Sequence, residues 1–264
     1  HIVGIWGVPR SGTTWLGQIF NSSLNTIYRY QPLFSYSFKS FLDEDSNRLK
    51  IDEFFDKIYK TTDPFINHGI LNEDKKLNFK KNKKTHLIFK NVRYLHIIEN
   101  LIKQNDKIKI IGLVRNPCAI ISSWINAPKE FDKNWNYLDE WYDAQSKNQN
   151  KIEEFYGFKK WKEATFMFHE LKIKFPQNFY LVSYESLVDQ PLKTTKDIFS
   201  FVNLEIDNQV IKFLDDCHLN HSKNVYSVFK DKSVKNKWKD CLDNKIINNI
   251  YSELKNTELE EYLV

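Results

Sequence analysis

The chain has 264 residues and a hydrophobic fraction of 41%, which is enough to form the core of one large α/β domain. Its 7 Gly and 7 Pro are too few for a fibrous or disordered protein, and no apolar run approaches the ~20 residues that cross a bilayer. The net charge of +5 suits anionic ligands, but the sequence lacks the dense basic patch of a nucleic-acid-binding protein.

The first predicted unit is a strand, a tight loop and a helix. Residues 2–7, IVGIWG, are typical of a short buried strand, and a helical apolar face follows from Thr13. Residues 7–14, GVPRSGTT, connect the two and carry two glycines at the spacing of a phosphate-binding loop. Such a loop directs backbone N–H groups and a helix N-terminus at an anion. The alternative is a turn that only joins the strand to the helix.

The loop differs from the Walker A motif of triphosphate-cleaving enzymes at one position. Thr13 stands where Walker A requires Lys, so a triphosphate would lack its main positive charge there. The cation of this loop is Arg10, near its apex. This arrangement suits one phosphate with an attached group better than a triphosphate bound to magnesium.

Four further strands are predicted, at residues 26–30, 86–90, 108–114 and 179–183. The longest is almost continuously apolar, as is typical of buried strands in parallel sheets. Asn116 and Pro117 fit the N-cap and first position of a helix. The alternation of strands and helices predicts one α/β domain over residues 1–264, with a central parallel β-sheet flanked by helices. Its ligand should lie at the carboxyl ends of the strands.

Residues 133–175 combine many charges with aromatic rings and predict one or two amphipathic helices. We expect most of the rings to pack in the core, because large aromatic side chains usually contribute to cores. One or two of them are candidates for a platform on which a sugar stacks.

Residues 9–15, PRSGTTW, resemble the 5′-phosphosulfate-binding loop of sulfotransferases that use 3′-phosphoadenosine 5′-phosphosulfate (PAPS). The family pattern is Pro-Lys/Arg-Ser-Gly-Thr/Ser-Thr/Ser. Arg at position 10, where the cytosolic enzymes carry Lys, is closer to the Golgi-type carbohydrate enzymes and the bacterial enzymes. The resemblance implies a P-loop-like fold and a phosphosulfate site. The residues it assigns to that site are Arg10, Ser11, Gly12, Thr13 and Thr14.

Residues 110–117, IIGLVRNP, resemble a second motif of the same family. In the family, an Arg that closes this strand and a Ser eight residues later bind the 3′-phosphate, and Arg115 and Ser123 have that spacing. Arginine offers a fixed charge and a forked set of donors to a phosphate. Without the first motif, an Arg at the end of a strand would usually be interpreted as part of a surface ion pair. The 3′-phosphate is also what distinguishes PAPS from ATP.

Three more residues resemble family positions near the nucleotide, and each has a structural alternative. Tyr184 corresponds to a Tyr beside the adenine, or it packs in the core. Lys237 lies in KNKWK, residues 235–239, which resembles a loop that closes on the 3′-phosphate; otherwise it is a solvated charge. Trp15 either stacks near the adenine or packs its own helix.

Lys90 aligns with a family Lys that ends a strand beside the transferred sulfate. Together with Arg10 it is predicted to be catalytic by opposing the charge that develops on the leaving phosphate, and no metal is expected. The general base is left unassigned, because Val92 and Gln31 occupy the two family positions for it. A carboxamide cannot act as a base. His68 is a further candidate.

The resemblance implies transfer of a sulfuryl group from PAPS to an acceptor hydroxyl or amine, leaving adenosine 3′,5′-bisphosphate (PAP). Similarity around Arg10 and Gln31 favours a carbohydrate or glycosylated small molecule as acceptor, with a lipid, phenol or peptide as alternatives. Two other functions stay open. One is a small-molecule kinase using ATP and Mg²⁺, against which Thr13 argues. The other is a nucleotide-binding protein without turnover, which a missing base would explain.

The three cysteines, Cys118, Cys217 and Cys241, are odd in number and widely spaced, so we expect no disulfide framework. A reducing, cytoplasmic setting is therefore expected, and an anchor or signal upstream of His1 stays compatible with the sequence. The sequence does not indicate the oligomeric state.

Overall fold

The computed structural model describes residues 1–68, 77–219, 224, 226–229 and 232–263, with backbone only at positions 68 and 218. Within these residues one sheet is formed by five strands: β1 (Ile2–Trp6), β2 (Thr26–Tyr30), β3 (His86–Asn91), β4 (Ile108–Val114) and β5 (Phe179–Ser183). Every pairing is parallel, in the order β2-β3-β1-β4-β5. All five predicted strands are confirmed, each to within one residue at either end.

The described residues also form thirteen α-helices. They are α1 (Thr13–Ser22), α2 (Arg48–Lys60), α3 (Pro64–His68), α4 (Ile98–Gln104), α5 (Pro117–Ile125), α6 (Tyr137–Asp143), α7 (Gln145–Asn148), α8 (Phe158–Lys174), α9 (Tyr184–Asp189), α10 (Pro191–Phe201), α11 (Asn208–Leu219), α12 (Trp238–Cys241) and α13 (Asn244–Leu254). Short 3₁₀ helices lie at Pro32–Phe34, Leu95–Ile97, Lys232–Lys235 and Glu258–Tyr262. None of the helices in this part of the chain is long and apolar enough to span a bilayer.

The aromatic segment at residues 133–175 forms three helices, α6, α7 and α8, where the sequence predicted one or two. The breaks occur where the backbone turns left-handed: Ala144 has φ 50°, Gln149 φ 50° and Gly157 φ 87°. Ala and Gln carry no local signal for this conformation, because it is favoured mainly by Gly and Asn. A pattern of apolar spacing therefore could not locate the breaks.

The sheet separates two apolar cores, because successive side chains of a strand point to opposite faces. On β1, Trp6 packs in one core and Ile5 in the other. Helices α2, α4, α5, α8 and α13 contribute to the first core, whereas α1, α10 and α11 contribute to the second. Both faces are thus covered, as the predicted parallel sheet requires.

The strand order creates a crevice at the carboxyl edge of the sheet. The connection from β1 leads to β2 on one side of the sheet, and the connection from β4 leads to β5 on the other side. Because the segments that leave β1 and β4 diverge, a ligand can enter between them. The glycine-containing loop and Arg115 follow these two strands directly.

Candidate active site

A cavity of about 980 Å³ opens at this carboxyl edge. It is lined by the loop after β1, the first turns of α1 and α9, one face of α5, and the segments that follow β2 and β3. Ten residues that the sequence assigned to donor binding or catalysis line it: Arg10, Gly12, Thr13, Thr14, Trp15, Lys90, Arg115, Ser123, Tyr184 and Lys237.

Ser11 is the one assigned residue that does not line the cavity. It is fully buried, and both its amide and its hydroxyl donate to the carbonyl of Val8, at 3.2 and 2.7 Å. These two bonds close the turn of the loop. The structure therefore gives Ser11 a part in shaping the loop, and the ligand contact assigned to it from the sequence stays a prediction.

Gly12 is required where the loop enters α1. Its φ of +94° lies in the left-handed region, and a Cβ at this position would come within 2.5 Å of Cδ2 of Tyr184. Gly12 provides no side-chain cap for α1, and the first turn of that helix contains no acidic residue. The first-turn N–H groups and the positive end of the helix dipole are thus available to an anion in the adjoining cavity.

Arg10 crosses the cavity from the loop to the region after α5. Its backbone is left-handed, with φ 71°. Its Nε donates to Oγ of Ser123 at 3.0 Å, and its Nη1 donates to Oε1 of Glu130 at 3.0 Å. The guanidinium also lies 5.2 Å from the ring centre of Tyr226. Ser123, which the resemblance assigns to the 3′-phosphate together with Arg115, thus contacts Arg10 of the first loop.

Lys90 extends from β3 toward the start of α1. Its side chain is only 2% exposed, and its Nζ makes a long hydrogen bond of 3.4 Å to Oγ1 of Thr13. The same Nζ lies 4.5 Å from the ring centre of Tyr30. Burial lowers the pKa of Lys90 to about 7; Glu130 acts in the opposite direction, and the charge of Arg10 lowers the pKa further. A bound anion would favour the charged form, because opposite charges stabilise each other.

Arg115 follows β4 and is 8% exposed. Its Nη1 donates to the carbonyl of Arg10 at 3.1 Å, and its guanidinium stacks 4.4 Å from the ring centre of Tyr184. Its Nε is buried and has no hydrogen-bond partner among the described residues. A buried charged donor without a partner is costly, so this group suits an anionic ligand.

The helix after Arg115 begins as the sequence predicted. The Asn116 side chain accepts a hydrogen bond from the amide of Ala119 at 3.2 Å, and Pro117 is the first helical residue of α5. The amide of Asn116 in turn donates to Oε1 of Glu185, at 3.0 Å. Burial raises the pKa of Glu185. This contact ties the start of α5 to the start of α9 and fixes the backbone that carries Arg115.

The aromatic residues near the predicted nucleotide site both pack in the core and face the cavity. Trp15 and Tyr184 meet edge to face at 5.8 Å, and both belong to an apolar core while also lining the cavity. Lys237 lines the outer part of the cavity and is exposed. Its neighbour Lys235 instead forms an ion pair with Asp189, at 2.7 Å.

The candidate positions for a base differ in their surroundings. Gln31 and Val92 both line the cavity, as expected for positions that follow β2 and β3. His86 starts β3 at the other edge of the sheet, where its Nε2 lies 3.1 Å from the carbonyl of Val202. The side chain of His68 lies outside the described residues.

Glu130 and Tyr226 line the cavity but were not predicted from the sequence, whereas Tyr156, also in the lining, belongs to the aromatic segment at residues 133–175 that was expected to supply a sugar platform. Glu130 accepts hydrogen bonds from Arg10 and from the hydroxyl of Tyr156, the latter at 3.1 Å. All three lie outside the strands and helices, so no apolar period or motif marks them. The one feature of the sequence that could have indicated Glu130 is that it is a carboxylate shortly after the predicted helix that carries Ser123.

Over residues 2–257 the chain matches the family model described as the sulfotransferase domain. A search of curated protein sequences found no match.

Several solved structures share the fold at low sequence identity. A mouse sulfotransferase complexed with PAP has a TM-score of 0.58 at 15% identity, covering 99% of this chain and 86% of that one. Retinol dehydratase in complex with retinol and PAP has a TM-score of 0.55 at 16% identity, covering 98% and 82%. The sulfotransferase domain from the curacin biosynthetic pathway has a TM-score of 0.53 at 16% identity, covering 96% of each chain.

Proposed function

The chain belongs to the sulfotransferase domain family, and on that premise we propose that it transfers a sulfuryl group from PAPS to a hydroxyl of a carbohydrate or glycosylated small molecule. The observation that supports this most is the convergence of Arg10, Lys90 and Arg115 on one cavity beside the uncapped start of α1. Two of the three solved structures described above contain PAP.

The donor supplies a sulfuryl group activated by its bond to a phosphate. In our proposal the first-turn amides of α1, with Arg10, Thr13 and Thr14, hold the 5′-phosphosulfate. Arg115 and Ser123 hold the 3′-phosphate. The Ser123 hydroxyl can accept from Arg10 Nε, as it does in the structure, and still donate its own proton to a phosphate oxygen. Arg115 would donate a hydrogen bond from its unpartnered Nε to the same phosphate.

Tyr184 and Trp15 offer aromatic surface for the adenine, because a base can stack or pack against either ring. Tyr184 is held in place by Gly12 on one side and by the guanidinium of Arg115 on the other. Lys237, exposed at the outer part of the cavity, would add a cation on the side of the 3′-phosphate.

Arg10 and Lys90 would act on the chemical step itself. As the sulfur–oxygen bond to the donor phosphate breaks, negative charge grows on the phosphate oxygen. Fixed cations in a site shielded from water stabilise such charge strongly, because they need no reorganisation during the reaction. Lys90 fits this role because it is buried and already directed at Thr13.

The lining residues that are not assigned to the donor support a carbohydrate acceptor. Phe34, Tyr156 and Tyr226 line the cavity together with Gln31 and Asn126. A sugar presents apolar C–H faces and hydroxyl groups at once, so rings interspersed with amides match it on both counts. A phenol would use the rings but offers only one hydroxyl group to the polar part of the lining.

Calorimetric titration of PAP and of AMP, without metal, tests the donor site. Native protein should bind PAP more tightly than AMP, and Arg115→Ala should weaken PAP by about 10- to 100-fold, because hydrogen bonds to charged groups contribute about 1.5–3 kcal/mol. Arg48→Ala is the control: Arg48 is exposed and pairs with Asp52 on α2. Equal binding of the two nucleotides, or Mg²⁺-dependent ATP turnover, would contradict the proposal and favour a kinase.

Transfer of radiolabelled sulfate from PAPS to a panel of acceptors tests the acceptor class. The panel consists of methyl glycosides of galactose, glucose and N-acetylglucosamine, with 4-nitrophenol and 2-naphthol for comparison. We expect labelled glycosides and little labelled phenol. Labelling of the phenols alone would contradict the carbohydrate assignment while leaving the donor site intact.

A further inference from the structure

Sulfuryl transfer to a hydroxyl needs a group that takes the hydroxyl proton. The two positions where the family resemblance implies such a group hold Val92 and Gln31, and neither side chain can accept a proton. We propose that the carboxylate of Glu130 is the general base of this enzyme, an inference that rests on the proposed function.

The chemistry of the cavity lining points to Glu130. Among the described residues that line the cavity it is the only carboxylate, and none of them is a histidine. Burial raises the pKa of the cavity tyrosines Tyr30, Tyr156 and Tyr184, so they hold their protons more tightly than free tyrosine does. Lys90 is needed in its charged form beside the donor, and a bound anion favours that form.

Glu130 is held so that its carboxylate keeps room for a substrate. Its Oε1 accepts from Arg10 at 3.0 Å and its Oε2 from the hydroxyl of Tyr156 at 3.1 Å. Its amide donates to the carbonyl of Ala127 at 2.8 Å, and its carbonyl accepts from Nε1 of Trp124 at 3.4 Å. A carboxylate has about four lone-pair positions, so about two stay available for an acceptor hydroxyl. The side chain is 21% exposed, which gives a substrate access to it.

The position of Glu130 is suited to the transfer step. Arg10 belongs to the loop that would hold the phosphosulfate, and it contacts Glu130 directly. The carboxylate is therefore one side chain away from the position that the sulfuryl group would occupy. A hydroxyl within about 2.6–3.2 Å of the carboxylate could attack the sulfur while giving up its proton.

The proposed step is balanced without any further reactant. A bond forms between the acceptor oxygen and sulfur, and the bond between sulfur and the phosphate oxygen breaks. The electron pair of the broken bond leaves on PAP. The proton of the hydroxyl moves to the carboxylate of Glu130 and afterwards passes to solvent.

Glu130 could alternatively serve only to position Arg10 for the donor. The two roles predict different kinetics. A positioning residue would change PAP affinity and the KM for PAPS together with the rate. A general base would change the rate of transfer and leave donor binding unchanged, because it acts only on the acceptor proton.

The test compares Glu130→Gln with the native protein, measuring PAP affinity by calorimetry and single-turnover transfer from PAPS to water and to the fastest glycoside of the panel above. We expect the rates to fall by about 100-fold or more, the usual contribution of a general base, with PAP affinity unchanged. Glu170→Gln, an exposed glutamate on α8, is the matched control and should retain the native rate.

Chemical rescue separates a base from a positioning residue. Glu130→Ala should regain part of its rate when sodium formate is added, because formate can take the proton in the space that the side chain leaves. An unchanged rate in Glu130→Gln, a loss of PAP binding that accounts for the lost rate, or no rescue by formate would overturn the assignment. A native protein that does not bind PAP, or that binds it and transfers sulfate to neither acceptor, would refute the proposed function itself.

Discussion

Lys90 is an ionisable residue of β3 that is almost completely buried. It pairs with Ile5 of β1 and Tyr30 of β2 in the register of the sheet. Removing a cation from water is unfavourable unless an opposite charge approaches it, and burial accordingly lowers its pKa to about 7. In the absence of a ligand, Lys90 is therefore partly neutral at neutral pH. This suits a residue that becomes fully protonated when the anionic donor binds beside it.

We predict that PAP binding takes up a proton above neutral pH. At about pH 8 the unliganded Lys90 is mostly neutral, and a bound phosphate should raise its pKa, so the affinity for PAP should fall as the pH rises further. Calorimetry in two buffers of different ionisation enthalpy measures the uptake. Lys90→Met should abolish it, whereas Lys103→Met, on the exposed side of α4, should not. Identical heats in both buffers would contradict the prediction.

The same group makes stability depend on pH in a definite direction. The pKa of Lys90 falls from 10.5 in the unfolded chain to about 7 in the folded protein. Between these values the unfolded chain binds more protons than the folded one, so the contribution of Lys90 to the free energy of unfolding rises with pH across this window. Below it, both states are protonated and the folded state carries the full cost of the buried charge.

Among the elements, the junction of β4 with α5 positions Arg115 most directly. The strand ends at Val114, and α5 begins at Pro117 with Asn116 as its cap. The amide of Asn116 donates to the buried Glu185 at the start of α9. The end of β4, the start of α5 and the start of α9 are thus connected through the short segment that carries Arg115. The sequence predicted the cap because Asn followed by Pro is a common start of a helix.

Asn116→Ala should therefore affect both stability and ligand binding. Loss of the cap should lower the free energy of unfolding by about 1–2 kcal/mol, and a looser junction should weaken PAP binding. Asn47→Ala is the control, since Asn47 caps α2 in the same way through the amide of Lys50, away from the cavity. It should lower stability without changing PAP affinity. Urea denaturation and calorimetry measure the two effects, and equal losses of affinity in both variants would argue against a link between the junction and the site.

On the scale of the whole molecule, the site is assembled from segments that are distant in sequence. Arg10 contacts Ser123 and Glu130, which are 113 and 120 positions away. Lys90 and Thr13 are 77 positions apart. A ligand that binds all of these segments binds only the folded protein, so it must stabilise the fold as a unit.

PAP should accordingly raise the unfolding temperature. At about 100 times its Kd a ligand adds about 2.7 kcal/mol, and each kcal/mol shifts the unfolding temperature by about 2–4 °C in domains of this size, so we expect a rise of about 5–10 °C. AMP at the same concentration should produce a smaller shift, because it lacks the 3′-phosphate that Arg115 would bind. Thermal unfolding monitored by tryptophan fluorescence provides the measurement. Equal shifts for the two nucleotides would argue against a 3′-phosphate site.

The sequence alone determined the five strands and their parallel arrangement, the loop after β1 and the cap of α5. Each of these depends on neighbours in the chain: alternating or continuous apolar residues define a strand, a glycine permits the left-handed backbone at position 12, and Asn-Pro starts a helix. The carboxyl ends of parallel strands then bring Arg10, Lys90 and Arg115 to one edge, whatever the details of packing.

Only the tertiary structure decided which side chains meet across that edge. Glu130 and Tyr226 lie in irregular segments, where no period relates a residue to its partners, and their contacts with Arg10 arise from how distant loops pack together. The same holds for the turns at Ala144 and Gln149 that divide α6, α7 and α8. Burial, and with it the pKa of Lys90, also depends on what covers a residue from other parts of the chain. Local patterns specify elements, whereas the chemistry of the cavity comes from contacts between them.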